Sequence, residues 1–113
     1  MQPGLEQKQT HQTAFVQLFV ARLVSAEMIE AALFYDGASR GLGHDFLDDV
    51  EQAMDRLREY REAGETVVSG LRRMLLHRFP FSIIYSVETD GILVVAIAHH
   101  GRRPNYWQSR IDR

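Results

Sequence analysis

Two turn signals divide the last third of the chain into three short strand-like segments. Pro80 separates residues 71–79 from residues 81–88, and Asp90-Gly91 precedes the apolar run 92–98. Proline interrupts a strand, and an Asp-Gly pair is typical of the two-residue turn that closes a hairpin. The pattern therefore predicts a small, mainly antiparallel sheet in the second half of the chain.

A first strand and a helix are predicted before this sheet. Residues 14–21 are β-branched and aromatic enough for a strand, although a helix running on into the next segment fits the same pattern. Ser25 is expected to cap the first helix and Gly37 to end it. Its apolar residues recur at helical spacing: Met28, Ile29, Ala32, Leu33 and Tyr35. Gly41 to Gly43 follow this helix without a downstream Lys-Ser/Thr, which indicates a turn between helices and not a phosphate loop.

The second predicted helix has one apolar stripe, one acidic face and an expected end at Gly64. The stripe repeats with the helical period and comprises Phe46, Leu47, Val50, Ala53, Met54, Leu57 and Tyr60. The acidic residues are expected to face water, with no histidine at metal-ligand spacing: Asp45, Asp48, Asp49, Glu51, Asp55 and Glu59. The order β-α-α-β-β-β predicts an α+β fold in which a helical hairpin packs on the sheet.

Length and composition fit one domain. The chain has 113 residues, of which 45% are hydrophobic, and no cysteine, so disulfides and thiolate chemistry are excluded. We expect a flexible polar tail over residues 1–13 and a single domain over residues 14–113. The longest apolar stretch, Ile92 to Ala98, is far shorter than the roughly 20 residues of a membrane helix. A soluble, cytoplasmic protein without metal, cofactor or membrane partner is expected.

Charge is distributed unevenly along the chain. Residues 1–69 have six Lys or Arg and twelve Asp or Glu, a balance of −6, whereas residues 70–113 have seven Arg and three acids, a balance of +4. The two halves sum to the net charge of −2. If the partner is anionic, the second half is expected to bind it, although a solvated surface gives such a split by chance as well.

A cationic and aromatic cluster, "HHGRRPNYW", follows the last predicted strand at residues 99–107. Together with the arginines of the first strand of the sheet it gives the candidate target-binding residues Arg72, Arg73, Arg78, Arg102, Arg103, Tyr106 and Trp107. Trp107 is expected to cover the core, with base stacking as the alternative. His99 and His100 would point to opposite faces of a continuing strand, so that at most one enters a given site. Either is a possible general acid or base, or an ordinary strand-end histidine.

Two longer stretches resemble the toxins of the RelE/ParE superfamily. "GLRRMLLHRFPFSIIYSVETDGILVVAIAHHGRRPNYW" is similar to their second half in its arginine-bearing strand, "RFP" corner, acidic-Gly turn and closing basic segment. "AEMIEAALFYDGASRGLGHDFLDDVEQAMDRL" is similar to their helical hairpin. The resemblance covers about residues 15–110 and implies a toxin of a type II toxin-antitoxin system of the plasmid-stabilisation kind, held inactive by a cognate antitoxin.

The resemblance leaves the target open between two classes. RelE-like members cut mRNA on the ribosome, and that alternative would make His99, His100 and Tyr106 catalytic. ParE-like members inhibit DNA gyrase, which the acidic net charge and the single lysine, Lys8, favour, because nucleic-acid readers are usually basic. A third alternative is a non-toxic member that only binds its antitoxin. The expected antitoxin-binding residues lie on the helical hairpin: Met28, Leu33, Val50, Met54 and Leu57.

Overall fold

A computed structural model describes residues 17–68, 70–102 and 105–110. Within these ranges the elements are β1 (Leu18–Val20), α1 (Arg22–Ala38), α2 (Leu42–Glu59), β2 (Glu65–Thr66), β3 (Arg72–Leu75), β4 (Phe81–Glu88), β5 (Gly91–His99) and a 3-10 helix (Tyr106–Arg110). The strands form one sheet in the order β1-β5-β4-β3-β2, with β1 parallel to β5 and the other pairs antiparallel. The predicted α+β fold is confirmed. The predicted tail and Arg103 lie outside the described residues.

The hairpin of β4 and β5 is the centre of the sheet. Glu88 pairs with Gly91 across the turn residues Thr89 and Asp90. A two-residue turn therefore closes the hairpin as predicted, but it lies one residue before the predicted Asp90-Gly91 pair, and Gly91 begins β5. A β-bulge follows, because Tyr85 pairs with Val94 whereas Ile84 pairs with Ala96. The extra residue, Val95, lies with Ala96 on the sheet face opposite the helices.

Three predicted boundaries were wrong by three residues or more, and smaller differences occur at Gly37, which lies inside α1, and at β1, which includes neither Gln17 nor Ala21. α1 begins at Arg22 after Ala21, and the Ser25 N–H already donates to the Ala21 carbonyl at 3.2 Å, so Ser25 lies inside the helix. α2 ends at Glu59 and not at Gly64. Gly64 instead donates its N–H to the Tyr85 hydroxyl at 2.9 Å, and a Cβ on Gly64 would lie 2.5 Å from that oxygen. This glycine permits a close approach to β4.

The third wrong boundary is the end of β3, which stops at Leu75 and not at Phe79. The carboxylate of Asp49 on α2 accepts the backbone N–H groups of His77 at 3.3 Å, Arg78 at 2.7 Å and Phe79 at 3.0 Å. These donors therefore bond to a side chain and not to a neighbouring strand. Asp49 itself is 3% exposed, so the expectation that it faces water was also wrong.

The turn between the helices is built as the glycines predict. The Asp36 carboxylate accepts the N–H groups of Gly41 and Gly43, each at 3.0 Å. Gly41 has φ 88°, a left-handed conformation that glycine adopts without strain. Within the described ranges, no helix is long and apolar enough to cross a membrane.

The core has two parts, one on each face of the sheet. The first lies under the helices and contains a cluster of Tyr35, Phe46, Phe79 and Phe81. The second lies under the 3-10 helix and contains Ile84, Val95, Ala96, Ala98 and Trp107. Trp107 is 3% exposed, which confirms that it covers the core.

Three of the expected antitoxin-binding residues belong to the first core. Val50, Met54 and Leu57 are 1%, 5% and 0% exposed. The apolar stripe of α2 packs on the sheet, so these side chains are not on the surface and the expectation of an exposed stripe is corrected.

Candidate functional site

A cavity of about 210 Å³ lies at the C-terminal end of β5, on the face of the second core. We call it the cationic cavity. Its polar and aromatic lining comprises Arg73, Ser82, His99, His100, Arg102, Asn105, Tyr106 and Trp107, above the apolar side chains of Val67, Ile84 and Ala98. No Asp or Glu is among the described residues that line it. Strand β3 and the segment after β5 thus bring together most of the residues predicted from the sequence.

Three predicted site residues are not part of this lining. Arg72 lies on the other face of β3, where its Nη1 donates to the carbonyls of Glu62 at 3.0 Å and Gly64 at 2.8 Å. Arg78 forms an exposed ion pair with Asp45 at 3.7 Å. Arg103 is outside the described residues.

Both histidines line the cavity, contrary to the expectation that at most one would enter it. β5 ends at His99, so the alternation of strand faces does not extend to His100. The Gly101 N–H donates to Nδ1 of His99 at 2.8 Å, which places the ring proton of the neutral form on Nε2. Nε2 of His100 lies 2.8 Å from the Ser82 hydroxyl oxygen. Each ring therefore has one nitrogen already occupied by a neighbour.

Tyr106 is close to two guanidinium groups. The Arg102 guanidinium is 3.7 Å and that of Arg110 is 5.3 Å from the centre of its ring. Burial, followed by the negative charge of Glu27, raises the pKa of Tyr106 above its ordinary value of 10.0, although both arginines act in the opposite direction. The phenol is therefore protonated at neutral pH, where it can donate a hydrogen bond but cannot accept a proton as a base.

A clamp of Glu27 and Arg110 holds the 3-10 helix in place. Nη1 of Arg110 donates to Glu27 Oε1 at 3.1 Å and to the carbonyl of the bulge residue Val95 at 3.1 Å, and Nη2 bonds to Glu27 Oε2. The hydrogen bond to Glu27 is the main cause that raises the pKa of Arg110. Both side chains are less than one-fifth exposed, so the pair links α1 to the site wall.

Sequence reasoning missed Glu27, Ser82 and Arg110 as parts of this site. Glu27 and Arg110 are 83 positions apart, and no local pattern indicates their pairing. Ser82 lies at a buried position of β4, and the sequence pattern there indicates only a core residue. The fold alone places its hydroxyl beside His100.

A second, apolar groove of about 430 Å³ lies between α1 and the segment after β5. Its apolar lining comprises Ala31, Phe34, Tyr35, Phe81 and Ile97, and it shares His99, Arg102 and Tyr106 with the cationic cavity. The outer side of α1 continues this surface with Leu23, Ile29, Leu33 and Phe34, which are 53% to 72% exposed. We call these four residues the apolar face of α1. Of the expected antitoxin-binding residues, Leu33 belongs to this face and Met28 is half-buried beneath it.

One exposed group on α2 contradicts the expectation that no histidine lies near its acids. Nδ1 of His44 is 3.4 Å from the carboxylate of Asp48, four residues later, and Asp45 is adjacent. His44 contacts Asp48 and Asp45 pairs with Arg78, and these side chains do not by themselves make a metal centre.

Comparisons with known proteins point to one family. The sequence profile of the family described as "ParE toxin of type II toxin-antitoxin system, parDE" matches residues 20–104. No curated protein matches the sequence. Among solved structures, one described as the chromosomal ParDE TA system from P. aeruginosa is similar, with a TM-score of 0.68 and 21% sequence identity. The alignment covers 76% of this chain and 97% of that chain, which shows a common fold.

Proposed function

The chain belongs to the ParE toxin family of type II toxin-antitoxin systems, and from that premise we propose that it is a bacterial, cytoplasmic toxin that inhibits DNA gyrase and is neutralised by a cognate antitoxin. The observation that carries the choice of target is the chemistry of the cationic cavity. It gathers cationic and aromatic groups, and no Asp or Glu is among its described lining residues.

A ribonuclease that uses the 2′-hydroxyl as nucleophile needs a group to remove its proton and another to protonate the leaving oxygen. The raised pKa of Tyr106 opposes the first role. His99 and His100 bond to Gly101 and Ser82, and no described carboxylate lines the cavity to orient either ring. These features support a surface that binds a target without cleaving it, and they disfavour the RelE-like ribonuclease alternative.

The net charge of −2 also supports a protein target over a long nucleic acid. Proteins that bind long nucleic acids gain much of their affinity from counterions that are released at several phosphates. In the cationic cavity, Arg73 and Arg102 are the arginines available for recognition. We propose them as the main target-binding residues, with Arg78 and Arg103 as outer contributors.

We expect the purified chain to block supercoiling, or to trap cleaved DNA, when it is incubated with gyrase, ATP and relaxed plasmid. Messenger RNA in a translation reaction treated with the same preparation should remain uncut. Site-specific mRNA cleavage with normal supercoiling would contradict gyrase inhibition and support the RelE-like alternative. An effect in neither assay would support the third alternative, a member that only binds its antitoxin.

The apolar face of α1 supports an antitoxin as partner. Large apolar side chains on the outer side of a helix are unusual unless another surface covers them. Residues 22–59, which span both helices, have nine Asp or Glu and four Arg. We therefore propose that the antitoxin segment is amphipathic, with apolar residues against α1 and the adjacent groove and basic residues at its edges.

Leu33→Lys and Phe34→Lys are each expected to weaken antitoxin binding about tenfold or more, since each removes an exposed apolar contact and introduces a charge. Neither side chain is in the core, so the fold should be retained. Calorimetric titration with the antitoxin measures the effect. Asp48→Lys, on the outer side of α2, is the matched control, and equal losses from all three variants would contradict this surface.

A further inference from the structure

The cationic cavity is more specific than a basic patch. Two arginines and two histidines line it together with a buried serine, and no described acid does so. We propose that it binds a single phosphate group, presented as free phosphate or as a terminal phosphate monoester. This inference does not depend on gyrase as the target.

Arg73 is positioned to bind an anion and is only partly used by the protein. Its Nη2 donates to Glu65 at 2.7 Å, outside the lining of the cavity. Its Nε is shielded from solvent and has no hydrogen-bond acceptor within the described ranges. A buried donor without a partner costs free energy, and a shift of the Arg73 side chain that opens Nε to the cavity would let a bound oxygen offset that cost.

Arg102 presents its donors differently. The central carbon of its guanidinium lies over the Tyr106 ring, 3.7 Å from the ring centre, a separation that suits stacking of the two planar groups. Stacking uses the face and leaves the N–H edge for a ligand, and such a planar fork matches two oxygens of a phosphate. Within residues 17–68, 70–102 and 105–110, no carboxylate bonds to this side chain.

Ser82 adds a neutral hydrogen-bonding group. The residue is 2% exposed, yet its hydroxyl lies in the cavity wall and is held by His100 at 2.8 Å. When Nε2 of His100 carries the ring proton and donates to the hydroxyl oxygen, the hydroxyl proton is free to bond to an incoming oxygen.

The size of the cavity limits the ligand. About 210 Å³ is below the range of roughly 300–1,000 Å³ typical of pockets that enclose a whole organic ligand. A phosphate group is small enough for this volume, whereas an attached nucleoside or nucleic-acid chain would extend beyond it into solvent. The proposal therefore concerns the end of such a chain and not an internal phosphodiester.

The test is binding of the full-length protein to a short single-stranded oligonucleotide with and without a 5′-phosphate, followed by competition with inorganic phosphate. We expect the phosphorylated form to bind at least tenfold more tightly and inorganic phosphate to displace it. Inorganic phosphate titrated alone, compared with a 5′-mononucleotide, distinguishes free phosphate from a phosphorylated end as the preferred source.

Arg73→Gln and Arg102→Gln should each weaken binding of the phosphorylated oligonucleotide about tenfold. Arg40→Gln, which removes an exposed arginine in the turn between the helices, should not. Glu65→Gln releases Arg73 from its ion pair without changing the lining, so it should retain or strengthen binding. Equal binding of the two oligonucleotides, or equal losses from the Arg73 and Arg40 variants, would overturn the proposal.

Discussion

Replacing Arg73 and Arg102 together with glutamine is expected to reduce growth inhibition by about a hundredfold or more when the toxin is expressed without antitoxin. Removing one partner of a charge pair that is buried and hydrogen-bonded in an interface costs about 2 kcal/mol or more, and about 1.4 kcal/mol corresponds to a tenfold change. Both arginines line the cationic cavity, and neither belongs to a core cluster, so the fold should be retained. Colony counts after graded induction, at matched protein levels, measure the effect.

Histidine and tyrosine variants separate recognition from catalysis in the same assay. Loss of a general acid or base costs about two to four orders of magnitude. For a recognition surface, His99→Ala, His100→Ala and Tyr106→Phe should each reduce toxicity less than tenfold, because none of them removes a permanent charge. Tyr106→Phe keeps the ring on which Arg102 stacks. A hundredfold loss from any of these three, with full toxicity in the arginine double variant, would reverse the proposed target.

Much of the fold follows from local signals in the sequence. The Asp-Gly turn, the corner at Pro80 and the period of α2 are short-range patterns, and the structure confirms the hairpin and both helices. The two-residue strand β2 gives no such signal, because Glu65 and Thr66 pair with β3 only in the folded chain.

The site was only partly predictable because its geometry depends on long-range contacts. The cluster at residues 99–107 indicated where cations and aromatics gather, and Arg73, Arg102 and Tyr106 do meet there. Arg73 lines the cavity and Arg72 bonds to backbone carbonyls on the other face, because neighbouring residues of β3 point to opposite faces. Arg78 is exposed because β3 ends before it. The stripe of α2 indicated apolar burial correctly, but the sequence does not say whether the sheet or a partner covers it.

The role of Asp49 also depends on a long-range contact that the sequence does not indicate. Its replacement is expected to have a large effect on stability. Its position beside Asp48 suggests a solvated acid, yet its carboxylate accepts three backbone N–H groups of residues 77–79. These three residues follow the end of β3 at Leu75, and their N–H groups bond to the Asp49 carboxylate instead of to a neighbouring strand. Asp49 also anchors the loop that presents Arg78.

Asp49→Ala is expected to lower the free energy of unfolding by about 3 kcal/mol or more, because hydrogen bonds to a charged acceptor contribute roughly 1.5–3 kcal/mol and their loss leaves buried donors unpaired. For a domain of this size the melting temperature should fall by roughly 10–20 °C. Asp49→Asn, which keeps one carbonyl acceptor, should lose less than Asp49→Ala and remains measurable if the alanine variant is insoluble. Asp48→Ala removes a neighbouring carboxylate whose side chain is 59% exposed and should change stability by less than about 0.5 kcal/mol. Urea unfolding followed by circular dichroism compares the four proteins, and equal midpoints for Asp48→Ala and Asp49→Ala would show that the loop does not depend on this carboxylate.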